Sequence, residues 1–461
     1  MSAHPNPLII LHGWSDHSQA FEPLARELAR RGRSVLPLWL GDYVSMEDAV
    51  TVDDVAQALE AALQTLILAR SLQAPLDMIV HSTGGLVARA WLSRFDRHRT
   101  EPWLARLVML APANHGARLA STGKSLVVRL SMGLPQGFQT GAQMLNALEL
   151  GSPWQWSQSL SDVLHDGSLG EAGPAVYGSQ ACMPFVLAGT RGYQSLLRQA
   201  FNEPGADGVV RAAAANLNCR GATLDFSVDP SEPVFTPWAP RDDLAPYALG
   251  LMPDEDHTSI TEAQGALTLS CILQALDCPR EDAAYRQVVQ EWEDRNAQVC
   301  DGRTDADSTS AQHHYLQLNT FVVDDRGSPV EDHFIEFSAP DPQRDERAMS
   351  YFHAQVLEHC HKNQVNSACR CFYIDRSDLM NGFYPQVAAG AAAELRLSIS
   401  AAAPSTRVSY LGRGSGAWRI HLQDESLAHE RWLRRHTTHY LKIIIPRTAD
   451  DSVLRLRAFK S

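Results

Sequence analysis

"LDMIVHSTGGLVARA", residues 76–90, runs from an apolar stretch through a serine and two glycines into a second apolar pattern. Met78, Ile79 and Val80 read as a short buried strand, since β-branched residues suit a pleated, packed surface. From Gly84 onward the apolar positions recur at helical spacing. The reading is strand, sharp turn and helix, with Ser82 at the turn. Such a turn lifts a serine Oγ above the end of a sheet and aims the next backbone N–H at the same point. The usual pattern is G-x-S-x-G, and Val80 stands where the first glycine belongs. A β-branched residue there needs space made elsewhere. The sequence therefore predicts that a neighbouring residue is small and that Ser82 holds an unusual backbone conformation.

Working outward, "PLIIL" (7–11) reads as a strand, "QAFEPLARELARR" (19–31) as an amphipathic helix and "SVLPLWL" (34–40) as a second strand. A helix follows over 52–70, with acidic residues in its first turn as the helix dipole favours. "RLVMLAP" is another buried strand. Strands alternating with helices imply an α/β fold with a mostly parallel sheet covered on both faces. Residues 117–175 break the rhythm and are helical in tendency, which predicts an insertion that is either a cap or lid over the site or a helical elaboration packed on the sheet. The pattern resumes with "PFVLAGT" (184–190) and "ATLDFSV" (222–228), and a helix around 261–276 closes a front domain, 1–280. Residues 281–312 have the polar, acidic composition of a linker. Over 313–461 the period changes to two in "LQLNTFVVDD", "HFIEF", "AELRLSIS", "WRIHLQ", "YLKIIIP" and "VLRLRAF". That predicts a smaller β-sandwich-like domain, with one helix near 347–361.

At 461 residues the chain exceeds the roughly 250–300 over which a single core grows, in keeping with two domains. Its net charge of −13 is uneven: residues 312–461 carry 18 Lys and Arg against 17 Asp and Glu, leaving 22 against 36 for residues 1–311. A front domain so acidic argues against nucleic acid as a partner, because phosphate binding relies on Lys and Arg. No apolar run reaches the ~18 residues of a membrane span. "PLIILHGW" begins at Pro7, too early for a cleavable secretory leader before it. The expected location is cytoplasmic, or exported by a route without such a leader. The eight cysteines are mostly scattered, the pattern of reduced thiols. "HCHKNQVNSACRC" (359–371) lacks the paired spacings of structural zinc, so no metal is expected.

A serine hydroxyl needs a general base to take its proton and donors to stabilise the oxyanion that forms. Three later stretches answer these needs. "LHGW" ends the first strand with an HG step that can place the Trp14 N–H opposite that of Thr83, as an oxyanion hole; His12 reads as a structural cap of that turn. "GADGVV" puts Asp207 on a loop beyond a late strand, where a triad acid stands. "MPDEDHTSI" puts His257 just before the closing helix. Asp254 and Asp256 are rival acids, but a carboxylate so close in sequence would have difficulty reaching Nδ1 while the ring faces the serine. Ser82, Asp207, His257 is the chain order Ser…Asp…His. Trp14, Met132, Phe138, Trp154 and Trp156 are the expected acyl-binding residues, the last four lying in the insertion.

"LIILHGW", "VHSTGGLVAR", "LVMLAPANHGARLA", "DGVV" and "DHTSI" resemble the blocks of the bacterial lipase and GPI inositol-deacylase-like branch of the α/β-hydrolases, over roughly residues 7–275. The resemblance implies hydrolysis of lipid-like acyl esters through an acyl-enzyme on Ser82, with Trp14 and Thr83 as oxyanion donors and no cofactor. A leaderless hydrolase with a helical insertion and a trailing β-domain also resembles lipolytic effectors of the type VI secretion apparatus, which implies membrane-surface contact and an immunity protein as partner. The same triad serves thioesterases, amidases, lactonases and acyltransferases, and fold alone does not separate them. A different reading makes the front domain a hydrolase scaffold spoiled at Val80, with the β-domain as a binding module.

Overall fold

The computed structural model describes residues 6–13, 18–31, 38–44, 46–121, 141–167, 173–195, 198–199, 202–262, 265–301, 313–341, 343, 345–387, 394–414, 416–421 and 432–457. Six strands make one sheet: β1 (Leu8–Leu11), β2 (Leu38–Gly41), β3 (Leu76–His81), β4 (Leu104–Leu110), β5 (Met183–Gly189) and, after strands that go elsewhere, β8 (Ala248–Met252). Their order is β8-β5-β4-β3-β1-β2, with every neighbour parallel. β1, β3 and β5 are buried at every residue. This is the expected consequence of covering a parallel sheet on both faces. Helices α1 (Glu22–Arg30), α2 (Val52–Leu68) and α3 (Gly84–Arg94) lie between the strands in sequence. α2 begins with a reciprocal cap in which the Thr51 hydroxyl accepts from the Asp54 N–H while the Asp54 carboxylate accepts from the Thr51 N–H.

Within the insertion the described helices are a short turn at Arg118–Ser121, α4 (Ala142–Leu148) and α5 (Pro153–Asp162). α5 is pinned to α3 by a fully buried ion pair: Arg89 Nε donates to Asp162 Oδ2 at 2.7 Å and Nη2 to Oδ1 at 3.0 Å. Tyr177 Oη and Gln158 Nε2 also donate to Asp162, so both buried charges are paired and hydrogen-bonded. This part of the insertion is a packed helix. Residues 122–140 lie outside the described residues.

Two sequence expectations are corrected further on. Most of the stretch read as a linker is a 20-residue helix, α7 (Asp282–Asp301), which follows α6 (Ala266–Asp277). Tyr285, Val288 and Trp292 are buried on one face of α7, and Asn296 donates to the Leu249 carbonyl while accepting from the Leu251 N–H. That amide satisfies main-chain groups along β8, at the edge of the sheet. The second correction concerns "ATLDFSV". It forms β6 (Cys219–Asp225), antiparallel to β7 (Val234–Pro237), and joins a different sheet.

That sheet belongs to the second of two compact units. The first comprises residues 1–219, 239–315 and 435–438; the second, 220–238, 316–434 and 439–461. The second contains β10 (His333–Ser338), β11 (Leu357–Lys362), β12 (Cys369–Asp375), β13 (Glu394–Ala401), β14 (Ala417–His421) and all but the first one or two residues of β9 (Tyr315–Asp324) and β15 (Thr437–Ile445). They form a six-stranded sheet, β11-β12-β9-β15-β6-β7, and a three-stranded one, β10-β13-β14. One core draws Leu224, Leu316, Phe372 and Ile443 from the first sheet and Leu397, Phe337 and Ile420 from the second, as in a sandwich. The helix expected near 347–361 is shorter: α8 (Glu346–Tyr351) runs into a wider turn ending at Val356, and 357–362 is the edge strand β11. Along β11 exposure alternates, so Cys360 faces away from His359 and His361, whose rings lie parallel at 6.4 Å. "VLRLRAF" forms no strand over its described residues, and Val453, Leu454 and Leu456 are exposed. Among the described residues no helix is long and apolar enough to cross a membrane.

Candidate active site

Four chain segments meet at the carboxyl end of the parallel sheet, where ligands gather in open α/β folds. Ser82 directly follows β3 and has φ +52°, the left-handed region that side chains rarely adopt. The space for this turn comes from glycine. A Cβ on Gly84 would lie 2.9 Å from the His12 carbonyl oxygen, 3.2 Å from that of Leu11 and 3.4 Å from the Val80 Cβ. Gly84 is therefore the small neighbour that Val80 requires. A Cβ on Gly13 would lie 2.8 Å from the Ser82 Cβ, so the HG step after β1 also gives the serine room. Thr83 is fully buried at the N-cap position of α3, which places its N–H beside Ser82 at the positive end of that helix.

His257 comes from the segment after β8. Its Nε2 lies 3.1 Å from Ser82 Oγ, and its Nδ1 lies 2.8 Å from Asp207 Oδ2. A carboxylate only accepts, so Nδ1 carries the hydrogen, and in the neutral tautomer with that arrangement Nε2 is the acceptor facing the serine. Asp207 is buried beyond β5, and its Oδ1 accepts from the N–H groups of Val209 and Val210 at 2.9 and 2.7 Å. The His257 N–H donates to the Asp207 carbonyl at 3.0 Å, tying the two loops together a second time. Asp256 is occupied otherwise: its Oδ1 accepts from the Thr258 and Ser259 N–H groups.

Three supporting residues carried no signal in the sequence. Gly189 ends β5 where a Cβ would lie 2.5 Å from the Glu255 carbonyl oxygen and 3.0 Å from the Asp207 Cβ, so only glycine lets these loops close. The buried Glu255 carboxylate accepts from the hydroxyls of Ser259 and Thr268, anchoring the His257 segment to α6. His81 lies under His257, with ring centroids 4.7 Å apart. Burial, followed by the neighbouring His257, holds the His81 imidazole well below the ordinary histidine range. An acidic residue after a strand, or a histidine before a serine, is too common to single out without the fold.

His12 donates from Nδ1 to the Gly13 carbonyl and accepts at Nε2 from the Tyr43 N–H, which fixes the turn after β1. Trp14, Met132 and Phe138 lie outside the described residues. The Trp154 indole N–H donates to Asp53, in the first turn of α2, and Trp156 is buried on α5.

A family model described as serine aminopeptidase, S33, matches residues 3–149. Among solved structures, phospholipase PlaB from Legionella pneumophila is similar at 25% identity, covering 98% of this chain and 96% of its own, with a TM-score of 0.78. The same phospholipase in complex with thio-NAD gives 26% identity over the same shares and an equal TM-score. The mature form of lipase BlEst2 from Bacillus licheniformis matches at 17% identity over 60% of this chain and 93% of its own, with a TM-score of 0.40. No curated protein matches.

Proposed function

We propose that this chain, which has the α/β-hydrolase fold, is a serine carboxylic-ester hydrolase acting on lipid-like acyl esters. The observation that carries the reading is the unbroken hydrogen-bonded series from Ser82 through His257 to Asp207, with Ser82 in a left-handed backbone conformation.

The chemistry follows from the atoms. Ser82 Oγ attacks the ester carbonyl carbon while His257 Nε2 takes the hydroxyl proton. The carbonyl oxygen gains the negative charge beside the Thr83 N–H, and the Trp14 N–H is the second proposed donor. Asp207, oriented by two main-chain N–H groups, stabilises the imidazolium. That imidazolium protonates the leaving alkoxide as the C–O bond breaks, leaving an acyl group on Ser82. Water then attacks the acyl carbon, His257 accepts its proton and returns it to Ser82, and a carboxylic acid departs.

The lipid-like substrate is supported by similarity to a phospholipase over nearly the whole length of both chains. Such substrates reside in bilayers, so the reading includes transient contact with a membrane surface. The test is fatty-acid release from phosphatidylcholine and phosphatidylglycerol vesicles, beside a series of p-nitrophenyl esters of rising chain length. The expected result is release by the wild type, none by Ser82→Ala, and a preference for the longer esters. Hydrolysis confined to the acetyl ester, with intact vesicles, would refute the lipid assignment.

A further inference from the structure

His81 precedes Ser82 on β3, and its side chain is buried beneath the segment that carries His257. Its Nε2 lies 2.9 Å from the main-chain oxygen of His257. A carbonyl oxygen only accepts, so Nε2 carries the hydrogen. The other ring nitrogen, Nδ1, has no hydrogen-bond partner among the described residues. Phe21 rests near the ring, with centroids 5.9 Å apart, and a Cβ on Gly13 would lie 3.2 Å from Nδ1. An apolar side chain could occupy this volume without burying a nitrogen that bonds to nothing. What the imidazole adds is one N–H, and it goes to the residue read as the general base.

We propose that His81 is a positioning residue that fixes the main chain of His257, so that the base meets Ser82 in a reactive geometry. This rests on the reading of the site given above. The His257 main chain is held from both sides: its N–H donates to the Asp207 carbonyl, and its C=O accepts from His81. The segment around it, 253–258, contains no helix or strand of its own. Two main-chain bonds and the Nδ1 contact to Asp207 therefore set where Nε2 falls. Removing the His81 donor leaves the His257 carbonyl without this anchor. A shift of about 1 Å in a reacting group can cost about 100-fold in rate. Burial, followed by the neighbouring His257, also holds the His81 imidazole well below the ordinary histidine range, which disfavours a second positive charge beside the imidazolium that forms on His257. Its effect falls on the chemical step, because the ring is buried beneath the His257 segment.

The test compares His81→Leu with His81→Gln. Leucine fills the space without a donor, whereas the glutamine amide can present an N–H at about the reach of Nε2. Both variants are checked for folding by thermal melting, and His81→Met replaces leucine if that variant does not fold. Hydrolysis of a p-nitrophenyl ester and the rate of fluorophosphonate labelling at Ser82 are measured for each. The expected result is a fall in kcat of roughly 10- to 100-fold for the apolar variant, with KM within about twofold, a matching fall in labelling rate, and recovery of most of both losses by His81→Gln. An apolar variant labelled at the wild-type rate would overturn the proposal. Equal losses in the apolar and glutamine variants would also overturn it, since they would reflect packing alone. A folded wild type that is never labelled at Ser82 is a distinct result, which would remove the reading of the site and this inference together.

Discussion

At the scale of single residues, the turn around Ser82 depends on an exchange of bulk between two positions. Val80 takes the place of the usual glycine, and Gly84 leaves its Cβ space empty. The sequence already contained this pair, and from Val80 alone it follows that something nearby must be small. Which residue that is required the backbone path. Gly84→Ala would drive a Cβ to 2.9 Å from a main-chain oxygen, which has no flexible end to yield. We expect a loss of roughly 1–3 kcal/mol in stability, read as a lowered Tm, together with a loss of Ser82 labelling. Asp207→Asn should leave the fold intact while turnover falls by roughly 10⁴-fold, because the amide can support the wrong His257 tautomer. Steady-state hydrolysis of a p-nitrophenyl ester checks this, and a loss below tenfold would point to another acid.

Among elements, five strands of the parallel sheet were legible because continuous apolar runs identify strands buried on both faces, whereas β8 was not singled out. β6 misled because its neighbours in sequence are α/β elements. Its own pattern gave the better answer: Ala222, Leu224 and Phe226 alternate with Thr223 and Asp225, the mark of a strand with one buried face. α7 was hidden by its charged residues, yet Tyr285, Val288 and Trp292 recur at i, i+3 and i+7. "VLRLRAF" shows the converse, since alternation reports compatibility with a sheet and supplies no strand to pair with. The hold of α5 on α3 gives a prediction at this scale. Asp162→Ala strands the buried Arg89 charge and should cost roughly 3–5 kcal/mol, whereas Arg89→Met with Asp162→Leu should recover much of that. Denaturant melts of both variants decide it.

For the whole molecule, the change from mixed to two-residue periodicity separated the two kinds of architecture, while the limits of the units were not legible. The chain visits the second unit at 220–238, returns to the first, and re-enters it at 316. No local composition marks such a crossing, because β6 is chosen by the core it enters. The second unit also carries a pH dependence. Burial is the main cause that pushes His333 down to about 4 and His439 down to about 3. Their neutral forms belong to the folded state, and unfolding releases them to histidine's ordinary value. The stabilisation is complete above about pH 6.5 and is lost as pH falls through those folded values, at up to ~1.4 kcal/mol per pH unit for each group. Thermal melts between pH 7 and 5 should show this decline, and His439→Gln should make it shallower; an unchanged slope would contradict the assignment.

The central claim is that Ser82 attacks acyl carbon with His257 as its base, and intact-protein mass spectrometry after exposure to a fluorophosphonate tests it most directly. The account predicts one adduct per chain, mapped to Ser82, absent in Ser82→Ala and formed far more slowly in His257→Ala. A folded wild-type protein that gains no adduct, or gains it at another residue, would contradict it.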